Sequence, residues 1–218
     1  MFMTKLMRFV LPTVWAGAIV AGFWSLEQYK SIGGRAEATI VEPYPRAAAD
    51  AAHAATSQRI VMYVHPHCPC TRASLQELTK IIRAGGERLA AEVVVVVEPG
   101  MDADWKDGAI VRAARDLPGV ALRFDETGAE AQKFGAYTSG HTIVFAADGA
   151  PLFRGGITRS RGHEGENPGS RTIKLLLTDS LLVSMAKSQS MHAPVFGCPL
   201  FSREPCRDGA CRVASITQ

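Results

Sequence analysis

The residues of this chain best suited to chemistry are its cysteines: Cys68, Cys70, Cys198, Cys206 and Cys211. Five is an odd number, so internal pairing leaves at least one thiol free, reactive or ligated. Cys68 and Cys70 lie in the mid-chain run His65-Pro66-His67-Cys68-Pro69-Cys70, and the other three crowd the tail. A structural disulfide framework spreads its cysteines more evenly. In disulfide exchange the thiolate is the nucleophile. A helix N-terminus favours that form through its unsatisfied N–H groups and positive dipole end. Cys68 directly before Pro69 suits such a position, because proline is favoured in a first helical turn. A Cys68–Cys70 disulfide would close a small strained ring of the kind that acts as an oxidant, and Cys198 is the alternative partner. The bland alternative is a pair of buried, inert thiols.

The same run offers metal ligands. His65, His67, Cys68 and Cys70 combine imidazole with soft thiolate, a set suited to copper(I) or zinc, and disulfide exchange without a cofactor is the competing expectation. Pro66 and Pro69 stiffen the run, and a helix beginning at Pro69 turns Cys70 away from the histidines. Taken alone, the two histidines read as solvated loop residues beside a thiolate. Cys206 and Cys211 are spaced for a local disulfide. The polar loop Arg159–Asn167 places His163, Glu164 and Glu166 where they can line an opening. It reads equally as a solvated connection with a helix cap near Asn167.

Several elements must position these groups. Ile60–Val64 is a β-branched strand that leads into the cysteine turn. Leu75, Leu78, Ile81 and Ile82 follow at helical spacing up to Gly85-Gly86. Val93–Val97 is an unbroken valine run, the pattern of a strand buried on both faces. Helical patterns are expected over Asp104–Asp116, Glu126–Tyr137 and Thr172–Met185, with a strand at Val120–Phe124 between them. His141–Ala146 and Pro151–Gly155 form a hairpin across Asp148-Gly149. The order is α/β with a parallel start, a terminal hairpin and a closing helix: a three-layer arrangement of helices on both faces of a central mixed sheet.

At 218 residues the chain suits one domain with appendages, and a formal charge of +3 leaves no electrostatic footprint for nucleic acid. Residues 1–8 carry Lys5 and Arg8, and 9–26 form an uncharged apolar stretch close to the ~17–20 residues that cross a bilayer. This predicts a single-pass anchor with a cytoplasmic N-terminus; a cleaved signal peptide and a buried soluble helix are the alternatives. Residues 27–58, rich in Ala and Pro, read as a tether without chemistry. The compact domain spans 59–187, and 188–218 is a cysteine-bearing tail.

The stretch HPHCPCTRAS, at a strand-to-helix junction and followed by the hairpin and closing helix, resembles the thioredoxin-like superfamily. Together with SGHTIVFAADGAPLFRGGI, the RGHEGEN loop and PVFGCPL, it resembles more narrowly the RedB-type, hydrogenase-associated thioredoxin-like proteins, over roughly residues 58–200. The resemblance puts Cys68 in the nucleophile position and Thr71 where the resolving cysteine normally stands. It also puts His141 where these folds carry a cis-proline, bringing an imidazole toward the thiols. What it implies is a membrane-anchored thiol-disulfide oxidoreductase of the periplasmic side of an inner membrane. Its partners would be protein thiols or disulfides, and its setting the maturation of a redox enzyme. A copper- or zinc-handling module, or a degenerate domain used only for binding, is the alternative.

Overall fold

The computed structural model describes residues 2–36, 43–44, 58–98 and 103–201, with side chains from residue 9. The chain divides into two units, Met1–Ile32 and Gly33–Gln218. The expected Cys206–Cys211 pair lies outside the described residues. The first unit is one helix, α1 (Phe2–Ser31), which runs past the apolar stretch that defined it in sequence and carries Pro12 within its length. Its segment Phe9–Ser31 is long and apolar enough to cross a membrane.

The second unit is built on a six-stranded sheet in the order β3-β2-β1-β4-β5-β6. These strands are β1 (Gln58–Val64), β2 (Leu89–Val96), β3 (Val120–Asp125), β4 (His141–Phe145), β5 (Pro151–Gly155) and β6 (Met191–Ala193). β1, β2 and β3 run parallel, β4 is antiparallel to β1, β5 is antiparallel to β4, and β6 is parallel to β5. The helices are α2 (Thr71–Gly85), α3 (Ala109–Arg115), α4 (Ala129–Lys133), α5 (Pro168–Leu176) and α6 (Ser180–Ser188).

Strand alternation divides the interior into two cores. Ile60, Met62, Val64, Val93 and Val95 face one side, where Leu75, Leu78 and Ile81 of α2, Val111 of α3 and Ile173 of α5 pack on them. Val61, Tyr63, Val94, Val96, Ile143 and Phe145 face the other side, under Ala131 of α4, Phe134 and Leu200. Helices therefore cover both faces, the βαβ start precedes an antiparallel hairpin, and a helix closes the chain back on the sheet. This is the thioredoxin-like three-layer fold.

Some elements depart from their sequence patterns, each for a local reason. The Asp104–Asp116 pattern splits at Gly108 into a 3₁₀ turn (Ala103–Asp107) and α3. The Glu126–Tyr137 pattern shrinks to α4, because Gly128 and Gly135 at its two ends have positive φ values of 71° and 66°. The closing helix starts earlier, at Pro168, where the Asn167 side chain accepts from the Ser170 N–H at 2.9 Å. It then breaks, and Asp179 caps α6 by accepting from Leu182 N–H at 3.0 Å. Beyond Ser188, where apolar periodicity fades, the short β6 still joins the sheet. Within the stretch read as a tether, Tyr44 packs its ring on Phe145 and Phe134, with centroid distances of 4.9 and 5.5 Å.

Candidate functional site

β1 ends beneath the cysteine run, and two overlapping turns carry the chain into α2. Cys68 N–H donates to His65 O at 3.2 Å, and Thr71 N–H donates to Cys68 O at 3.1 Å. The helix proper begins at Thr71 rather than at Pro69, with Cys70 as its N-cap residue. Cys70 is thus held at the helix N-cap, with Cys68 and Cys198 rather than with the histidines.

Two further segments close on this junction. The loop before β4 brings Ser139, whose N–H donates to Cys198 O at 2.8 Å. Gly140 N–H beside it donates to Tyr63 O at 2.8 Å. Ser139 Oγ accepts from His65 N–H at 2.9 Å and shares a hydrogen bond with Thr71 Oγ1 at 2.8 Å. Gly140 has φ +90°, and a Cβ there would stand 2.8 Å from Ser74 Oγ, so a larger residue would be strained in this turn and would displace the Ser74 hydroxyl. The C-terminal segment is pinned by Leu200 N–H to Tyr137 O at 2.9 Å and by the Thr138–Pro199 bridge, which sets Cys198 over Cys68.

The outcome is a cluster of three thiols. The sulfurs of Cys68, Cys70 and Cys198 all lie within 4.8 Å of one another, and all three are free cysteines. Cys68 is 1% exposed, and the other two are half-buried. Burial alone would raise the Cys68 pKa. Hydrogen bonds from the Cys198 thiol, the Thr71 hydroxyl, the Cys198 N–H (3.4 Å) and Ser139 outweigh it, so Cys68 lies below the usual thiol value. Cys198 is pushed up to about 12, by burial first and then by its hydrogen bond to Cys68 and the negative charge there. Cys70 is raised for the same kinds of reason. Arg161 moderates both shifts by its positive charge, and its guanidinium donates to Gly197 O beside Cys198.

Of the other residues singled out in sequence, one joins the site and the rest fall elsewhere. Thr71 stands next to Cys68 as a hydroxyl donor. His65 and His67 stay outside the thiol cluster: His67 stacks on Trp105 at 4.1 Å, His65 meets the same indole edge-on at 5.5 Å, and His67 N–H donates to His65 Nδ1 at 3.2 Å. The expected ligand set of His65, His67, Cys68 and Cys70 does not converge. Among the described residues the converging donors are the three sulfurs. His141 occupies the first position of β4, but it is not among the hydrogen-bond partners of Cys68. Alternation places it on the Ile143–Phe145 side of the sheet. In the Arg159–Asn167 loop, Glu164 pairs with Lys80 at 3.3 Å and Glu166 with Arg171 at 3.2 Å, so the loop is a connection braced from its flanks. Ser139 and Arg161 had no sequence signal of their own, being single polar residues in aperiodic loops.

No protein-family model and no curated protein matches the sequence. Among solved structures, an uncharacterized conserved protein from Geobacillus kaustophilus is 16% identical with a TM-score of 0.56, covering 81% of this chain and 95% of the other. A hypothetical protein from Sinorhizobium meliloti is 13% identical with a TM-score of 0.53, covering 78% and 93%. At such identities what is shared is the fold. A secreted disulfide oxidoreductase of Mycobacterium tuberculosis overlaps 47% of this chain at a TM-score of 0.37, too distant to carry chemistry across. Fold and site together define a thioredoxin-like module with a three-cysteine cluster at the end of its central strand.

Proposed function

We propose that this protein is a membrane-anchored thiol-disulfide oxidoreductase whose working couple is Cys68 with Cys198, and Cys70 the third, exchangeable thiol. The observation that carries the reading is the asymmetry within the cluster: three sulfurs within 4.8 Å, of which Cys68 alone has its thiolate favoured. A thiolate stabilised in the reduced state is a good leaving group, and it makes the corresponding disulfide oxidising. In the oxidised form a substrate thiolate attacks Cys198 Sγ, the more exposed sulfur. A new S–S bond forms to the substrate, the Cys68–Cys198 bond breaks, and its electron pair stays on Cys68. A second substrate thiolate then attacks the substrate-side sulfur of that mixed disulfide, and Cys198 leaves and takes up a proton. The substrate ends as a disulfide and the protein as a dithiol. Thr71 and Ser139 hold the Cys68 charge, and the membrane helix keeps the domain on the periplasmic face of an inner membrane. The RedB-type resemblance of the cysteine run and the PVFGCPL stretch supports a place in the maturation of a redox enzyme.

The same three sulfurs favour a second reading, capture of copper(I) by soft thiolates. Intact mass with thiol trapping separates the two, on full-length protein carrying Cys206→Ser and Cys211→Ser. Purified without reductant, it is expected to hold a reducible Cys68–Cys198 disulfide and no metal. Cys70→Ser should leave that bond intact, and Cys198→Ser should force a Cys68–Cys70 bond or none. Three free thiols with stoichiometric copper would replace the oxidoreductase reading with the copper one.

A further inference from the structure

In the exchange proposed above, the demanding step is the departure of Cys198. Its sulfur is half-buried and must take an electron pair within 4.8 Å of Cys68, whose thiolate is already formed by then. Thr71 and Ser139 hold that first charge. A second negative charge so close calls for a cation. Arg161 supplies one. Its guanidinium donates to Gly197 O, the carbonyl of the peptide whose N–H belongs to Cys198, and that N–H points on to Cys68 Sγ at 3.4 Å. Its positive charge favours the thiolate of Cys198.

Several interactions keep the Arg161 loop in place. Asn167, 3% exposed, donates from Nδ2 to Ile157 O at 2.8 Å and to Gly165 O at 2.9 Å, which closes the two ends of the loop on each other. Glu77 of α2 is 2% exposed, accepts from Gly165 N–H at 2.8 Å and pairs with Lys80 at 2.7 Å. A buried carboxylate is tolerated only when it is paired and hydrogen-bonded, and here one of its partners is the loop itself. At the tip His163 N–H donates to Ser160 O at 3.2 Å, turning the chain around Arg161. We propose that Arg161 is a positioning residue of the exchange: it holds the Gly197–Cys198 peptide and offsets the charge that develops on Cys198 Sγ as the second substrate thiolate displaces it. This role presupposes the Cys68–Cys198 couple. In that step an S–S bond forms between the two substrate sulfurs and the bond to Cys198 breaks. Its electron pair stays on Cys198 Sγ, which then takes a proton from water. Arg161 needs no free donor for this, since its charge acts through space.

The test uses full-length protein in detergent, carrying Cys206→Ser and Cys211→Ser and oxidised beforehand. It is mixed with 2-mercaptoethanol, a neutral monothiol that does not probe Arg161 as an anion site, and quenched with acid at intervals for intact mass. Two rates are read in the same molecules: conversion of the internal disulfide to the mixed disulfide, and loss of the mixed disulfide. Arg161→Gln keeps an N–H donor and removes the charge. It should leave the first rate within about twofold and slow the second by about tenfold, so that the adduct on Cys198 accumulates. Arg161→Lys, which restores the charge, should bring the second rate back to within a few-fold of the parent. Equal slowing of both steps by Arg161→Gln would make Arg161 a structural brace and overturn the proposal. An unchanged second step would overturn it too, as would an Arg161→Lys variant no faster than Arg161→Gln. A parent protein whose internal disulfide does not react at all would instead overturn the oxidoreductase reading, and this role with it.

Discussion

Burial pushes all three clustered thiols toward the protonated form, so what separates Cys68 from its neighbours is the direction of the hydrogen bonds around it. Cys68 receives them, and Cys198 gives one up and faces the resulting charge. Cys68 and Cys70 were legible because a cysteine at a strand-to-helix junction has a chemical reason to be there. Cys198 entered only as an alternative partner, and Ser139 and Arg161 only inside longer stretches without a role of their own, since loop residues carry no periodicity. His141, which the resemblance put where such folds carry a cis-proline, stands at the first position of β4 and is fully buried. Its environment has a measurable consequence. Burial first, and then the charge of Arg154, lower its pKa from 6.5 to about 3. Between those values the unfolded chain takes up a proton that the folded one refuses. The stability this residue contributes is therefore whole above about pH 6.5 and drains as pH falls toward 3, at up to about 1.4 kcal/mol per pH unit. Denaturant titrations at stepped pH should show this slope in the parent protein and its reduction in His141→Phe. Equal slopes in the two would mean that His141 is already charged in the fold.

Among the elements, those with a strict period could be read in advance and those closed by side-chain pairing could not. The apolar run of β1, the valine run of β2 and Leu75, Leu78 and Ile81 of the α2 stripe are all buried as their patterns require. The split of the last helix depends on caps at Asn167 and Asp179, and β6 is too short to carry any pattern. Tyr44 comes from a stretch without periodicity and was invisible for that reason. What holds it is an ionic network at the β1–β2–β3 surface. Glu92 of β2, buried between Arg59 of β1 and Arg123 of β3, pairs with both guanidiniums, at 3.0 Å to Arg123, and accepts from the Tyr44 hydroxyl at 2.9 Å. Glu130 of α4 continues the chain, pairing with Arg123 and accepting from Tyr63 at 2.9 Å. Removing one partner of such a pair leaves charges without compensation. Glu92→Ala should thus cost about 3 kcal/mol in equilibrium unfolding, whereas Tyr44→Phe, which loses one hydroxyl, should cost about 1 kcal/mol. Similar costs for the two would assign the stability to packing of the Tyr44 ring and not to the ion pairs.

For the whole molecule the decisive fact is a long helix whose apolar side chains are exposed among the described residues. Phe9, Leu11, Trp15, Phe23 and Trp24 of α1 are each more than two-thirds exposed, far beyond the scattered apolar residues a soluble surface tolerates. The 23 residues of Phe9–Ser31, at about 1.5 Å each, span about 35 Å, enough to cross a hydrocarbon core of about 30 Å with some tilt. Lys5 and Arg8 before this span favour its N-terminal end on the cytoplasmic side. The proposed exchange requires the cysteine cluster to lie in a compartment where disulfides persist, and the proposed anchor orientation would put it there. Full-length protein should therefore stay with membranes through alkaline extraction, and a periplasm-dependent alkaline phosphatase fused after Gln218 should be active. Deleting residues 1–31 should release the domain to the cytoplasm, with its three clustered thiols reduced in trapping experiments. A soluble, inactive fusion from the intact chain would remove both the anchor and the compartment from the proposal. An N-terminus found beyond Ser31 in the mature protein would keep the compartment and replace the anchor with a cleaved leader, leaving the thiol chemistry to act without attachment to the membrane.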